Sequence, residues 1–469
     1  MIQTEIDKLD SAFEEAIATA KTTRRPQLLS VTEPIDQIDP ILFFENAGQV
    51  EGGRVFWKSA DEDFWLAGAG EAYALEADSN RFTQIEEQWT DILSNAIIAN
   101  SRRLPGTGPI AFGGFSFDPD KPKTSLWKDF QGSQFRVPAY LLSVINGECF
   151  FTINILVCDH DHSGQLAFQV EKTKQMLFSR AAVEHEGPEI ERVKEIDPDI
   201  WKQLVGQTTD KIKNSDIEKI VLARELRVYF QDSVKLSAVL DKLVEAQTNS
   251  YVFAFENGKD CFLGASPERL VKVEERRLLS TCLAGTAPRG DTEGEDREIG
   301  YTLLHDQKNL HEHRFVVEMI REAVEACCRN VKVPDEPVLY PLKNLQHLYT
   351  PVEAELDSKF SILDVVKRLH PTPALGGKPR MQSMKFIRED EQLDRGWYGA
   401  PVGWMDPYQN GEFAVAIRSA LIQESEASLF AGCGVVKDSL PEEEYEETNI
   451  KFTPMLSVLG GQSWITQKH

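Results

Sequence analysis

Residues 411–422, GEFAVAIRSALI, and 428–436, SLFAGCGVV, are two apolar runs split by the polar stretch QESEA, and a helix-like segment opens after them near Ser439. Both runs are short and rich in residues that suit a pleated, half-buried surface, so both read as strands. Five intervening residues suffice for a hairpin but not for the helical crossover that parallel strands need. Similar spacings recur upstream. EKIVLAREL (218–226) reads as a strand and residues 306–328 as a long helix. ECFFTINILVC (148–158) and GQLAFQVEKT (164–173) read as a hairpin closed by the turn at 159–164. Helices and strands mix without a βαβ rhythm, which predicts an α+β body built on large, mostly antiparallel sheets.

The chain has 469 residues, 41% of them apolar and 27% charged, enough to bury a substantial core. RVFWKSADEDFWLAGAGEAYALEA (54–77) is typical of residues 1–195, where strand-like runs alternate with polar turns. Residues 1–195 therefore form an N-terminal α+β half and residues 200–460 the more informative region. The stretch 183–199, dense in charge and holding two prolines, reads as an exposed connection. No apolar run is long enough to span a bilayer. Residues 1–25 carry five acids in an amphipathic pattern and read as a surface helix, not a secretory or transit signal. Basic residues number 51 against 75 acidic ones, a formal net charge of −24, which argues against nucleic acid and anionic membranes as partners. Seven cysteines without CxxC or zinc spacing point to a reduced, cytoplasmic protein. The cluster Asp159, His160, Asp161, His162 reads as a solvated tip, not a metal site.

Chemistry-bearing residues gather in the second half. Ser439-Leu-Pro-Glu442 has the form of a capping box. On the helix after it, Glu444, Glu447 and Lys451 fall at i, i+3 and i+7 and share a face. Gly432 and Gly434 sit at a strand end, where backbone amides can approach an anion. Arg418, placed on the face of Ala414 and Ala416, has room for bidentate grip on a carboxylate. Glu312, on the long helix, is a candidate ligand for a hard cation. Lys219 shares a strand face with Val221 and Ala223, a dry setting that favours the neutral amine and so a general base. Glu268 follows a Ser-Pro turn and could donate a proton from a partly dry pocket. Each of these, taken singly, also fits an ordinary solvated or sheet-capping side chain.

Together the motifs change that balance. KIVLAR (219–224), FLGASPERL (262–270), LAGTAPRG (283–290), EHRFVVEMI (312–320), LHPTPALGGKP (369–379), RGWYGAPVGW (395–404), EFAVAIRSAL (412–421) and AGCGVVKDSLPEEEYEETNIK (431–451) resemble, in order, the chorismate-utilising enzymes. In the N-terminal half only AFGGFSFD (111–118) echoes them. The resemblance implies two large antiparallel sheets flanked by helices, with chorismate as substrate. It implies Mg²⁺ on Glu312 and Glu447, Glu268 as acid, and Lys219 as base. Gly285, Thr286, His370, Tyr398, Arg418, Gly432, Gly434 and Lys451 would hold the substrate. Ammonia-using members have glutamine at the Lys219 position, and aminodeoxychorismate synthases have a lysine where this chain has Ala284. The resemblance thus points to the water-using, isochorismate-forming branch, with no glutaminase subunit. The long N-terminal region leans to menaquinone over siderophore biosynthesis. Salicylate synthase, and an inactive chorismate-binding subunit, are the alternatives. Pro454 is expected to kink or end the last helix beyond Lys451.

Overall fold

The computed structural model describes residues 2–60, 62–179, 187–342, 345–462 and 464. Two sheets, of thirteen and ten strands, form the body. Among the described strands every pairing is antiparallel except that of Gln27–Ile35 with Ile97–Ala99. The expected α+β architecture is therefore the observed one.

The two sheets face each other across an aromatic core. Trp57, Trp127, Trp397 and Phe130 are fully buried, with Phe253 and Phe262 from the larger sheet meeting Phe112 and Trp404 from the smaller one. At roughly 1.5–3 kcal/mol per fully buried large apolar side chain, this layer outweighs the scattered surface ion pairs. Helices cover the outer faces. Ile2–Thr23 and Pro441–Val458 lie on the larger sheet, and Gln307–Glu325 and Ile362–Leu369 on the smaller one. The sequence halves are not separate bodies. Arg54–Lys58 pairs with Tyr251–Asn257 in the larger sheet, and Ala111–Phe115 with Pro401–Met405 in the smaller.

The stretch GEFAVAIRSALI is two strands, not one. Gly411–Val415 belongs to the smaller sheet and Ser419–Gln423 to the larger. The chain changes sheets at Arg418, whose φ of 51° lies in the left-handed region that a non-glycine residue rarely adopts. The hairpin spacing holds for the next step, where Ser419–Gln423 pairs with Glu426–Val435.

Three further local expectations are corrected, and the end of the last helix is placed. Ser163–Leu177 is a helix, so Glu148–Val157 has no hairpin partner there. Leu166, Phe168 and Val170 imitate strand alternation, but Phe168 is 72% exposed while Ala167, Val170 and Leu177 form the buried stripe. In the stretch 183–199, residues 183–186 lie outside the described residues, whereas Ile190–Glu195 forms an edge strand. The capping box does not form. Leu440 is the N-cap of Pro441–Val458, and the Ser439 hydroxyl instead accepts from Val436 N at 3.0 Å. Pro454 lies inside that helix, which runs on to Val458. The one backbone bond lost there is offset by burying Phe452, Met455, Leu456 and Val458 against the sheet.

Candidate active site

Lys219 opens the strand Lys219–Phe230, which pairs antiparallel with Glu426–Val435 in a register that sets Val221 opposite Gly434 and Ala223 opposite Gly432. The lysine side chain lies across Gly434, where an added Cβ would stand 2.3 Å from Lys219 Cε. At Gly432 a Cβ would meet Leu222 O at 2.8 Å and the Tyr398 hydroxyl at 3.2 Å. The two glycines thus open floor space for one ammonium and one phenol. Tyr398 is buried and stacks on Phe430 with centroids 5.4 Å apart, and burial pushes its hydroxyl pKa up.

The setting of Lys219 differs from the apolar one its strand face suggested. Its ammonium donates to Glu312 Oε1, from the helix Gln307–Glu325 across the mouth. Burial, the largest single influence, works to raise the Glu312 carboxyl, but the charge and hydrogen bond of Lys219 together with the charges of Lys308 and Lys451 hold the group below its ordinary value. The next residue, His313, points the other way and locks the helix to two strands. Its Nδ1 pairs with Ala284 O at 2.9 Å and its Nε2 with the Thr350 hydroxyl at 2.8 Å. One helix turn therefore positions the carboxylate from behind.

Glu268 sits where Asp260–Ser266 gives way to Arg269–Glu274, with its amide on the Ser266 hydroxyl at 3.2 Å and its carbonyl accepting from Val415 N at 3.0 Å. Burial pushes its carboxyl up to about 7, against the pull of Arg418, Lys219 and Lys451. Arg418 has no ion pair among the described residues, and burial lowers its pKa while Tyr398, Glu268 and Glu447 oppose that shift. A guanidinium spared a carboxylate partner in such a place suits an anionic ligand. Lys451, on the C-terminal helix, donates to Gly432 O at 2.8 Å and to Glu447 Oε1 at 2.5 Å.

Gly285, at φ 83°, occupies a break in the register between Arg277–Pro288 and Leu345–Leu356. The turn presents Thr286, whose hydroxyl meets His347 Nδ1 at 2.9 Å. His347 was not singled out in the sequence. Its Nε2 is buried without a hydrogen-bond partner, and burial, aided by the charges of Arg418 and Lys451, pushes its pKa down to about 3. The only sequence signal for it is a histidine in an apolar strand opposite the Gly-Thr turn. His370 is held by Phe117 and Arg380. Its Nε2 meets Phe117 O at 2.9 Å, its ring packs edge-on against Phe117, and its carbonyl accepts from Arg380.

Glu312, Glu444 and Glu447 offer only hard carboxylate oxygens. Glu444 Oε2 is buried with no hydrogen-bond partner, and burial pushes that carboxyl up. In chemistry Glu312 and Glu447, as a pair, match the one or two carboxylates that a hydrated divalent cation takes. Among the described residues no group of three or more His, Cys, Asp or Glu side chains is placed to hold a metal ion.

This arrangement meets its relatives in sequence. The profile of the family described as chorismate binding enzyme matches residues 14–460. The chain belongs to the chorismate-binding enzyme family. It is 41% identical to the isochorismate synthase MenF of Bacillus subtilis, over 95% of this chain and 96% of that one. It is 34% identical to the salicylate biosynthesis isochorismate synthase of Pseudomonas aeruginosa, over 97% and 95% of the two chains. The fold is that of the menaquinone-specific isochorismate synthase MenF of Escherichia coli, at a TM-score of 0.78 and 22% identity, over 96% of this chain and all of that one. The family match extends through the N-terminal half, where the sequence motifs were sparse. That half adds strands such as Ala111–Phe115, which pairs with Pro401–Met405 just beyond Tyr398.

Proposed function

We propose that the chain is an isochorismate synthase, converting chorismate to isochorismate with Mg²⁺. The observation that carries this reading is the pairing of a carboxyl raised to about 7, Glu268, with the cations Arg418 and Lys451 and the amine of Lys219, the base in its neutral form, around it. Such a site holds a dianion and retains a proton to give away.

Arg418, Lys451 and the Gly432–Gly434 strand end bind the carboxylates of chorismate, while Tyr398 and Thr286 line the ring. Lys219 takes a proton from water as its oxygen bonds to C2 of the ring. Both ring double bonds shift, C1=C2 becoming C1=C6 and C5=C6 becoming C4=C5, the C4–oxygen bond breaks, and Glu268 supplies the proton with which that hydroxyl leaves as water. Lys219 is then protonated and Glu268 ionised, and proton exchange with solvent resets both. Since one hydroxyl replaces another, the reaction runs in either direction. Glu312 and Glu447 would hold Mg²⁺, which when bound anchors the C1 carboxylate and offsets the acidic protein's field. A water nucleophile needs no ammonia delivery, so the chain works without a glutaminase subunit.

The test is chromatography of the products formed from chorismate and Mg²⁺. Isochorismate should dominate, and purified isochorismate should return chorismate. Salicylate with stoichiometric pyruvate, appearing at the rate of chorismate loss, would make the chain a salicylate synthase instead.

A further inference from the structure

The strand that carries Lys219 is held on its two edges by different means. Its inner edge pairs with Glu426–Val435 along nearly its whole length. On the outer edge, Ile190–Glu195 covers Leu226 to Phe230 and Gly377–Lys378 covers Lys219 and Ile220. No described strand pairs with Val221 to Glu225 on that side. A cleft of about 510 Å³, lined in part by Trp201, Ala223, Glu225 and Glu391, opens there instead.

Side chains take the place of the missing strand. Arg395 Nη2 donates to Val221 O at 2.8 Å, and Ala223 N donates to Glu391 Oε2 at 2.8 Å. Trp201 Nε1 donates to Ala223 O at 3.0 Å. Glu391 and Arg395 are themselves a bidentate pair at 2.6 and 2.7 Å, with side chains only 2% and 3% exposed. The same guanidinium donates to Leu375 O at 3.1 Å and lies 4.3 Å from the Phe117 ring, and the Arg395 carbonyl accepts from Tyr398 N at 2.8 Å. Glu391 also ends the helix Arg380–Asp390, whose Ser383 hydroxyl donates to Lys219 O at 2.9 Å. One ion pair therefore touches the Lys219 strand, the 370–379 segment and the Tyr398 turn. A buried pair of this kind contributes little net stability compared with apolar packing, so its retention calls for another role.

We infer that Glu391 and Arg395 are positioning residues, a side-chain surrogate for a strand that fixes Val221 and Ala223 and thereby the reach of Lys219 into the site. The inference rests on the proposed role of Lys219, and it predicts a loss in the chemical step without a loss in substrate binding. A displacement of about 1 Å in a reacting group can cost on the order of 10²-fold in rate.

The experiment uses the full chain with Glu391→Gln and Arg395→Lys. Gln keeps the shape of Glu391 but cannot accept from both Ala223 N and the guanidinium as an anion. Lys keeps the charge of Arg395 but cannot reach Glu391, Val221 O and Leu375 O together. Each variant should lower kcat ~10–100-fold, leave the chorismate KM within about twofold, and speed amide hydrogen exchange at Val221–Ala223. Val239→Ala, which empties a fully buried position in the helix Leu236–Ala246, should lower Tm without changing kcat. Normal kcat despite fast exchange at Ala223 would overturn the inference, as would an equal loss of kcat in Val239→Ala at a matched loss of Tm. If Glu391→Gln does not fold, Arg395→Lys decides. Wild-type protein that forms no isochorismate defeats the functional reading alone, and the inference then stands or falls on whether exchange rises locally at Ala223.

Discussion

Glu268 has two duties that pull its proton the same way. Burial raises it to about 7 from an ordinary 4.5, so about half of it is protonated near neutral pH and available as an acid. The alkaline limb of kcat should therefore fall as pH rises through about 7, and a profile flat from pH 6 to 9 would place the acid elsewhere. Glu268→Gln keeps shape and hydrogen bonding but has no proton to give, so kcat should drop ~10²–10⁴-fold with little change in KM. The same shift makes a thermodynamic prediction. Folding raises this carboxyl, so the folded state takes up a proton. The stability this provides is complete below about 4.5 and is lost as pH rises through about 7. Glu268→Gln should thus gain on wild type over that window, reaching roughly 1–3 kcal/mol of added stability at pH 8. Melting curves at pH 5 and pH 8 check it. An equal difference at both would show that the carboxyl is not raised.

At the scale of the element, the pairing of the Lys219 strand with Glu426–Val435 turns a backbone register into a side-chain position. Gly434→Ala would place a Cβ 2.3 Å from Lys219 Cε. That neighbour is the end of a flexible side chain, so the fold should tolerate the change and Tm should move little. The ammonium, however, must swing away, and kcat should fall on the order of 10²-fold. Gly164→Ala, where nothing lies within 4 Å of the added atom, is the control. Normal activity in Gly434→Ala would detach Lys219 from the chemistry. These two strands were legible in the sequence because both are long, apolar and bounded by polar turns. The chain's passage between sheets at Arg418 was not, since alternation runs unbroken through GEFAVAIRSALI and gives no sign of a positive φ. The helix Ser163–Leu177 was missed because half-buried Leu166 and exposed Phe168 supply a false alternation. The motifs singled out Lys219, Glu268, Arg418 and Lys451, and the fold brings the three cationic side chains close enough to act on Glu268. His347 was not, because its importance comes from strand pairing with Thr286, sixty-one positions away. His370 shows the converse: its motif is strong, but its imidazole is turned to Phe117.

Across the whole molecule, a formal charge of −24 would act in opposite senses on dianionic chorismate and on the proposed Mg²⁺. Close to the chemistry, Lys219, Lys308, Arg418 and Lys451 work against that field, since their charges are the ones felt by Glu268 and Glu312. These cations are offset by Glu312 and Glu447, each of which already holds a lysine, so the pocket alone does not reverse the sign of the body. Salt should separate the two effects. Raising ionic strength from about 0.01 to about 0.15 M shortens the screening length from roughly 30 to 8 Å, which hides the body's charge while leaving contacts inside the pocket nearly intact. At saturating Mg²⁺, kcat/KM for chorismate should therefore rise a few-fold over that range, because the repulsion met on approach is screened. Over the same range the Mg²⁺ concentration for half-maximal activity should also rise, because the attraction that gathers the cation is screened too. EDTA should abolish turnover at either ionic strength, and added Mg²⁺ should restore it. Full activity in chelator would remove the metal from the mechanism. A kcat/KM that falls with salt would show instead that the pocket cations, not the acidic body, govern how the substrate arrives.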